Sequence, residues 1–247
     1  MFSYRPNEFT KPTTQTKPIL LSWTVNQHQI SMQIASVLFL FTTMIMVCNA
    51  QSNESVPSVK IGDQVWMTKN LDISTFANGD LIPEAKTRVE WNLASDNHLP
   101  AWCHYNNDTA VGRKYGKLYN WYAVTDRRSI APTGWHIPSD AEWKILFDHL
   151  GGIKKAGNEL KSSSLWSRRG NGNNSSGFTG LPGGDRDASN EGYGGGYFGY
   201  INTYAFWWTS TQTNVKNAWS YSLFQDGLVR RRFGLKGEGY SVRCIKD

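Results

Sequence analysis

The chain has 247 residues, with 26 Lys and Arg against 20 Asp and Glu, for a net charge of +6. The basic excess is unclustered apart from Arg230-Arg231-Arg232, which excludes the stripe of positive charge that a nucleic-acid-binding surface needs. The length suits one domain with a sizeable core once a leader is removed.

Between Lys17 and Glu54 there is no charged residue. The apolar run Ile34 to Val47 has the length of a secretory h-region and is short for a membrane span. "CNA" at 48–50 reads as a small-residue cleavage site, so the mature chain is expected to begin at Gln51. Residues 1–50 are therefore read as an N-terminal extension plus signal peptide, with Met32 as an alternative start to Met1. Cys48 after an apolar run also fits a lipoprotein signal, although Val47 stands where such signals carry Gly, Ala or Ser. Either route exports the protein to the cell surface, the outer-membrane region or the medium, with no membrane span in the mature chain.

Residues 51–58 form a polar leader, and 59–247 read as a single domain. "VKIGDQVWMTKNL" (59–71) alternates apolar and polar residues about Gly62-Asp63 and predicts a hairpin. "ANGD" (77–80) is a turn, and 83–100 is loop with a short helical piece. The most legible stretch is "APTGWHIPSDAEWKILFDHLGG" (131–152). Ser139 and Glu142 form a capping box. Trp143, Leu146, Phe147 and Leu150 then make one apolar stripe, and Gly151-Gly152 supply the stop. The spacing predicts a helix over 139–150 that walls the core, with Trp135, Ser139, Glu142 and Trp143 in structural roles. A shorter helical piece follows at 154–164.

Residues 167–200 are rich in Gly and Asn with aromatic punctuation, the composition of long surface loops. Strands are predicted at 205–212, at 218–224 turning through Asp226-Gly227 into 228–233, and at 239–247. Helices early and antiparallel strands late make the fold class α+β. Trp207 and Trp208 are adjacent, so in a strand they point to opposite faces and one is expected outside the main core or under a loop. Trp219 and Tyr221 share a face, with Ser220 and Ser222 on the other.

After cleavage only Cys103 and Cys244 remain, an even pair that is a disulfide candidate in an exported protein. The alternative is two separate buried thiols. "NND" (106–108) and "DRD" (185–187) place oxygen ligands in loops, as calcium wants, and Asp185 and Asp187 are the first choices. The same residues favour plain turns, which is the preferred reading. No other cofactor is expected. There is no G-x-S-x-G elbow, no P-loop and no H-E-x-x-H pair. A glycosidase acid pair has no local signal to select it.

The segments "YGKLYNWYAV", "APTGWHIPSDAEW", "GFTGLPGG", "FWWTST" and "GYSVRC", in that order, resemble the Fibrobacter succinogenes major paralogous domain, a family of exported bacterial proteins. In addition, "HIPSDAEWKIL" and "GYSVRC" are similar to segments of formylglycine-generating-enzyme domains, which adopt a variant of the C-type-lectin-like fold. That resemblance implies two helices packed on a twisted antiparallel sheet, long loops on one side, and paired termini. It does not carry the copper-binding cysteine pair, because no Cys lies between Phe206 and Gly239. It also implies ligand-facing residues in the C-terminal half: Asn190, Tyr193, Tyr197, Tyr200, Trp208, Arg230 and Arg232. The expectation is an exported, non-catalytic module that binds a polysaccharide or a surface protein. The alternatives are a structural or adhesive surface protein, and a hydrolase with an unrecognised acid pair.

Overall fold

The alternating run "SVKIGDQVWM" folds as a tight hairpin. Strand β1 (Ser58–Ile61) pairs antiparallel with β2 (Gln64–Met67), Ile61 facing Gln64, and Gly62 turns at φ 59°. The structure is a computed structural model that describes residues 56–188 and 195–247, and Val56–Asp247 make one compact unit.

Capping chemistry sets the helices. Helix α1 (Arg88–Asp96) starts at Thr87, whose side chain takes the Glu90 N–H while the Glu90 carboxylate accepts from the Thr87 N–H. Strand β3 (Trp102–Cys103) pairs with β4 (Leu118–Tyr119). Between them, Asp108 caps α2 (Thr109–Tyr115), and Asn106 and Asn107 turn at φ 52° and 56°. "NND" is thus a turn and a cap. Asn120 caps the short α3 (Trp121–Val124), and β5 (Trp135–His136) follows. Helix α4 (Asp140–His149) has both bonds of its Ser139–Glu142 capping box, and Gly151 and Gly152 end it at φ 82° and 89°. The other Glu142 oxygen lies 2.7 Å from His136, whose second ring nitrogen lies 2.7 Å from Asp247. Helix α5 (Ala156–Leu160) is shorter than predicted, since no side chain caps its start.

The remaining elements are β6 (Asp185–Arg186), β7 (Phe198–Gly199), β8 (Ala205–Gln212), β9 (Asn217–Leu223), β10 (Val229–Leu235) and β11 (Ile245–Lys246). One antiparallel sheet has the order β1-β2-β11-β5, joining the first hairpin to the last strand, and a second has the order β10-β9-β8. Two short pairs, β3-β4 and β6-β7, complete a mixed α+β architecture with five α-helices among the described residues. The predicted strand at 239–247 is regular only at Ile245–Lys246. Upstream of it Gly239, Tyr240 and Ser241 bridge singly to Arg186, Tyr119 and Trp207, because each lies beside a different element.

Both faces of the β8-β9-β10 sheet are covered. Trp207 joins Trp66, Trp143, Phe147, Phe178 and Tyr221 in one core cluster, under α4. Trp208 joins Phe206, Tyr119, Trp121 and Tyr240 in another. Of the two alternatives for the adjacent tryptophans, exposure outside the core is corrected: both indoles are buried, and each fills a different cluster. The disulfide expectation is corrected as well. Cys103 and Cys244 are free, buried thiols in two separate core clusters, and burial raises each thiol pKa to about 12.

Trp143 sits 4.7 Å from Trp66 and 5.7 Å from Tyr221, ring centre to ring centre, and the void beside it holds only about 10 Å³. Trp143→Ala should cost about 3–5 kcal/mol in urea unfolding; a midpoint within error of the parent would show α4 to be peripheral. In a Cys48→Ser chain, an aromatic disulfide reagent should find no reactive thiol natively and two in denaturant. One or none in denaturant would restore the disulfide.

Candidate functional site

The face of the β8-β9-β10 sheet that looks away from α4 gathers an unusual set of groups. Along it run Phe206 and Trp208 on β8, Ser222, Ser220 and Ala218 on β9, and Arg230, Arg232 and Gly234 on β10, in register. Rings stack above one edge of it. Phe224 lies 4.3 Å from Tyr204, Tyr204 5.5 Å from Phe206, and Phe206 5.0 Å from Tyr240, each pair within 20° of parallel. Tyr200 crosses Tyr204 edge-on at 5.2 Å and is 58% exposed. Ser220 and Ser222 are 0% and 1% exposed, and neither hydroxyl has a hydrogen-bond partner. Buried polar groups are almost always paired, so two neighbouring orphans on one face mark a place where another group is expected.

Carboxylates stand beside this face. The Tyr240 hydroxyl donates to Glu238 Oε2. A side chain at position 234 would collide with Glu238 Oε2 and meet the Tyr240 ring and hydroxyl at 3.0 Å, so Gly234 lets both sit close on the sheet. Asp185, on β6, shares the field of Glu238, Asp187 and Arg232. Burial first, then the negative charges of Glu238 and Asp187, raise the Asp185 pKa to about 8, against the pull of Arg232. Burial raises Glu238 too, with the Tyr240 hydrogen bond and Arg232 opposing.

The three consecutive arginines have three fates. Arg230 pairs with Asp226 and lies over Phe224. Arg231 points to the other face, where it grips Asp140 with two 2.8 Å bonds and covers Trp219 at 3.4 Å. Arg232 is exposed, forms no ion pair among the described residues, and acts on the acids only through its charge.

Of the residues expected to face a ligand, Tyr200, Arg230 and Arg232 are brought together here. Tyr197 is exposed on β7's flank, with the Arg88 guanidinium 4.0 Å over its ring. Asn190 and Tyr193 lie outside the described residues. Trp208 is corrected: it lies on this face but is fully buried, its indole N–H donating to the Tyr119 carbonyl, so it is framework. Asp187 closes a loop, its N–H donating to the Tyr197 carbonyl and its Oδ1 accepting from the Tyr197 N–H at 2.6 Å. Among the described residues no group of three or more His, Cys, Asp or Glu is placed to hold a metal ion. Sequence reasoning missed Glu238, Tyr204 and Phe224. No periodicity marks "KGEGY", and only the fold sets Glu238 against Asp185. The Ser220–Ser222 alternation was the one usable signal.

The profile of the Fibrobacter succinogenes major domain matches residues 59–246. The chain belongs to the Fibrobacter succinogenes major domain family. No curated protein and no solved structure matches the chain. The quoted segments of this Fibrobacter domain are mostly framework. "GWHIPSDAEW" builds the α4 cap, and "GYSVRC" supplies Tyr240 and the buried Arg243.

The raised carboxyls imply a sign for pH dependence. Folded Asp185 keeps its proton to about pH 8, while an unfolded Asp loses it near 4. Between those values the folded state binds the extra proton, so stability falls as pH rises through that window. Asp185→Asn should therefore raise the melting temperature at about pH 8 by roughly 5 °C, and change it little near pH 4. A destabilised variant at high pH would show that the carboxylate has a partner and is structural.

Proposed function

We propose that this chain is an exported, non-catalytic binding module that recognises glycan at the exposed rim of its second sheet, around Tyr200. The observation that supports it most is the aromatic patch at that rim, where exposed Tyr200 crosses Tyr204 edge-on and Tyr204 stacks on Phe224 beneath Arg230. Sugar rings present C–H faces that stack on aromatics and hydroxyls that need polar partners, and such sites carry few, well-placed polar groups. The leader-like segment before Gln51 supports export. The pairing of the first hairpin with β11 and the packing of α4 beneath the sheet support the proposal that the fold is a C-type-lectin-like variant.

A second reading is favoured by one observation, the charge coupling of Asp185 to Glu238. A glycoside hydrolase needs one carboxyl protonated and the other ionised. Here the surroundings push both pKa values up rather than apart, which suits binding better.

The full chain should be retained, saturably, by one class in a panel of soluble and insoluble glycans. Tyr200→Ala should weaken that retention roughly tenfold, the worth of about 1.4 kcal/mol. Retention by none of the glycans would move the weight to a structural role. Release of reducing sugar that disappears in Asp185→Asn would establish the hydrolase.

A further inference from the structure

Two tight turns meet beside the Tyr200 rim, and both hold bulky residues in a backbone conformation that suits glycine. In the first, the Gly170 N–H donates to the Ser167 carbonyl at 2.9 Å, and the residues between, Arg168 and Arg169, stand at φ 53° and 61°. Positive φ at both central positions is the type I′ pattern, which favours Asn-Gly and strains a residue with a Cβ. In the second, Tyr200 and Asn202 both stand at φ 63°, and the Tyr200 carbonyl accepts from the N–H groups of Thr203 and Tyr204. With Leu165, these are five of the eleven non-glycine residues at positive φ among the described ones, so the strain is concentrated here. Such strain clusters at ligand clamps and active sites.

The surroundings hold both turns in place. The Ser167 N–H donates to the Asn202 carbonyl at 2.7 Å and joins them. Buried Lys161 donates to the carbonyls of Gly170, Phe224 and Gln225 at 2.7, 3.3 and 3.2 Å. The arginine turn is thereby fastened to Phe224, the ring that stacks on Tyr204. Arg168 and Arg169 themselves take no part in this framework. Both are exposed, and neither makes an ion pair or a side-chain hydrogen bond among the described residues. The nearby acids do not answer them. Arg230 holds Asp226, and Asp187 accepts from the Tyr197 N–H. Asp185 lies 3.0 Å from where a Cβ on Gly199 would stand, and it keeps its proton to about pH 8.

We infer that the ligand at this rim is an acidic polysaccharide of the polyuronate class, with Arg168 and Arg169 binding the carboxylates of sugar rings that stack on Tyr200. This rests on the glycan-binding reading above and narrows its ligand class. A guanidinium meets a carboxylate through two parallel N–H···O bonds. Two adjacent guanidiniums on a fixed turn suit a polymer that carries a carboxylate on every ring. The net charge of +6 favours the approach of such a polyanion.

The test is titration calorimetry of the full chain, at about pH 7 where uronate carboxyls are ionised, with hexagalacturonate, its neutral methyl ester and cellohexaose. Hexaglutamate and a heparin hexasaccharide serve as a non-sugar and a sulfated polyanion. Hexagalacturonate should bind at least about tenfold tighter than either neutral hexamer. Arg168→Asn combined with Arg169→Gly installs the pair this turn favours. That variant should lose the preference for the acid, keep the weak binding of the neutral hexamers, and melt about 2–4 °C higher than the parent. A variant that melts lower would show the arginines to be framework and sink the inference. Equal affinity for the acid and its ester would overturn the carboxylate inference and leave the glycan reading standing. Hexaglutamate binding as tightly as hexagalacturonate would remove the assignment to sugar, and tighter binding of heparin would remove the assignment to carboxylate. A preference that survives the double substitution would place selectivity elsewhere and refute the role of the turn. Binding of no hexamer at all would take away the glycan reading and this inference with it.

Discussion

Two buried guanidinium groups hold the irregular half of this protein in place. Arg243 and Arg186 are 0% and 1% exposed and neither is paired with a carboxylate. Loops without regular pairing leave backbone carbonyls that must be bonded if they are buried. A guanidinium carries five N–H donors in a fixed fan, so one side chain can serve several carbonyls at once. Arg186 does this for the Ala85–Thr87 turn that opens α1, while Trp91 and Phe198 cover its faces at 4.7 Å. Arg243 ties β2 to the 178–179 segment, and burial lowers its pKa to about 9. Its partner Asn70 also donates to the Tyr115 carbonyl and to Ser241 Oγ, and accepts from the Trp207 indole. One polar hub thus reaches the hairpin, α2, the second sheet and the C-terminal segment.

The site hangs on the same segment. Gly239, Tyr240 and Ser241 bond by backbone to Arg186, Tyr119, Phe206 and Trp208. Tyr240 is thereby fixed against Phe206 and Trp208, and Glu238 is carried onto the sheet over Gly234. A carboxylate presented this way, largely desolvated and in the field of Asp187, is costly to ionise. The rest of the molecule is consistent in satisfying its buried charges, so the cost is concentrated at one place.

The two faces of the second sheet divide the labour. The α4 face is closed by Trp143, Phe147 and Trp207, with Asp140 anchoring Arg231 and the Tyr221 hydroxyl from the helix start. It is a wall, and the "SDAEWKILFDHL" helix closes the core. The opposite face has rings and serines where an aliphatic core would have Leu or Val. That choice forfeits packing on β9 and leaves two hydroxyls without partners.

Local chemistry by itself determined the parts that a few neighbouring residues decide. The Ser139–Glu142 box, the Gly62 turn, the Asp226–Gly227 hairpin and the alternation of Ser220 and Ser222 against Trp219 and Tyr221 were all readable because each depends on near neighbours. The Thr87–Glu90 box that starts α1 was equally present in the sequence, and follows the same rule. Only the tertiary structure decided the rest. Asp185 and Glu238 are more than fifty residues apart, and their shared field arises because Arg186 and Gly239 bridge. Whether Trp208 faced solvent, and whether Cys103 met Cys244, depended on what covered the sheet and on which cluster each thiol joined. Burial and charge coupling are sums over long-range neighbours, and no window of the sequence contains them.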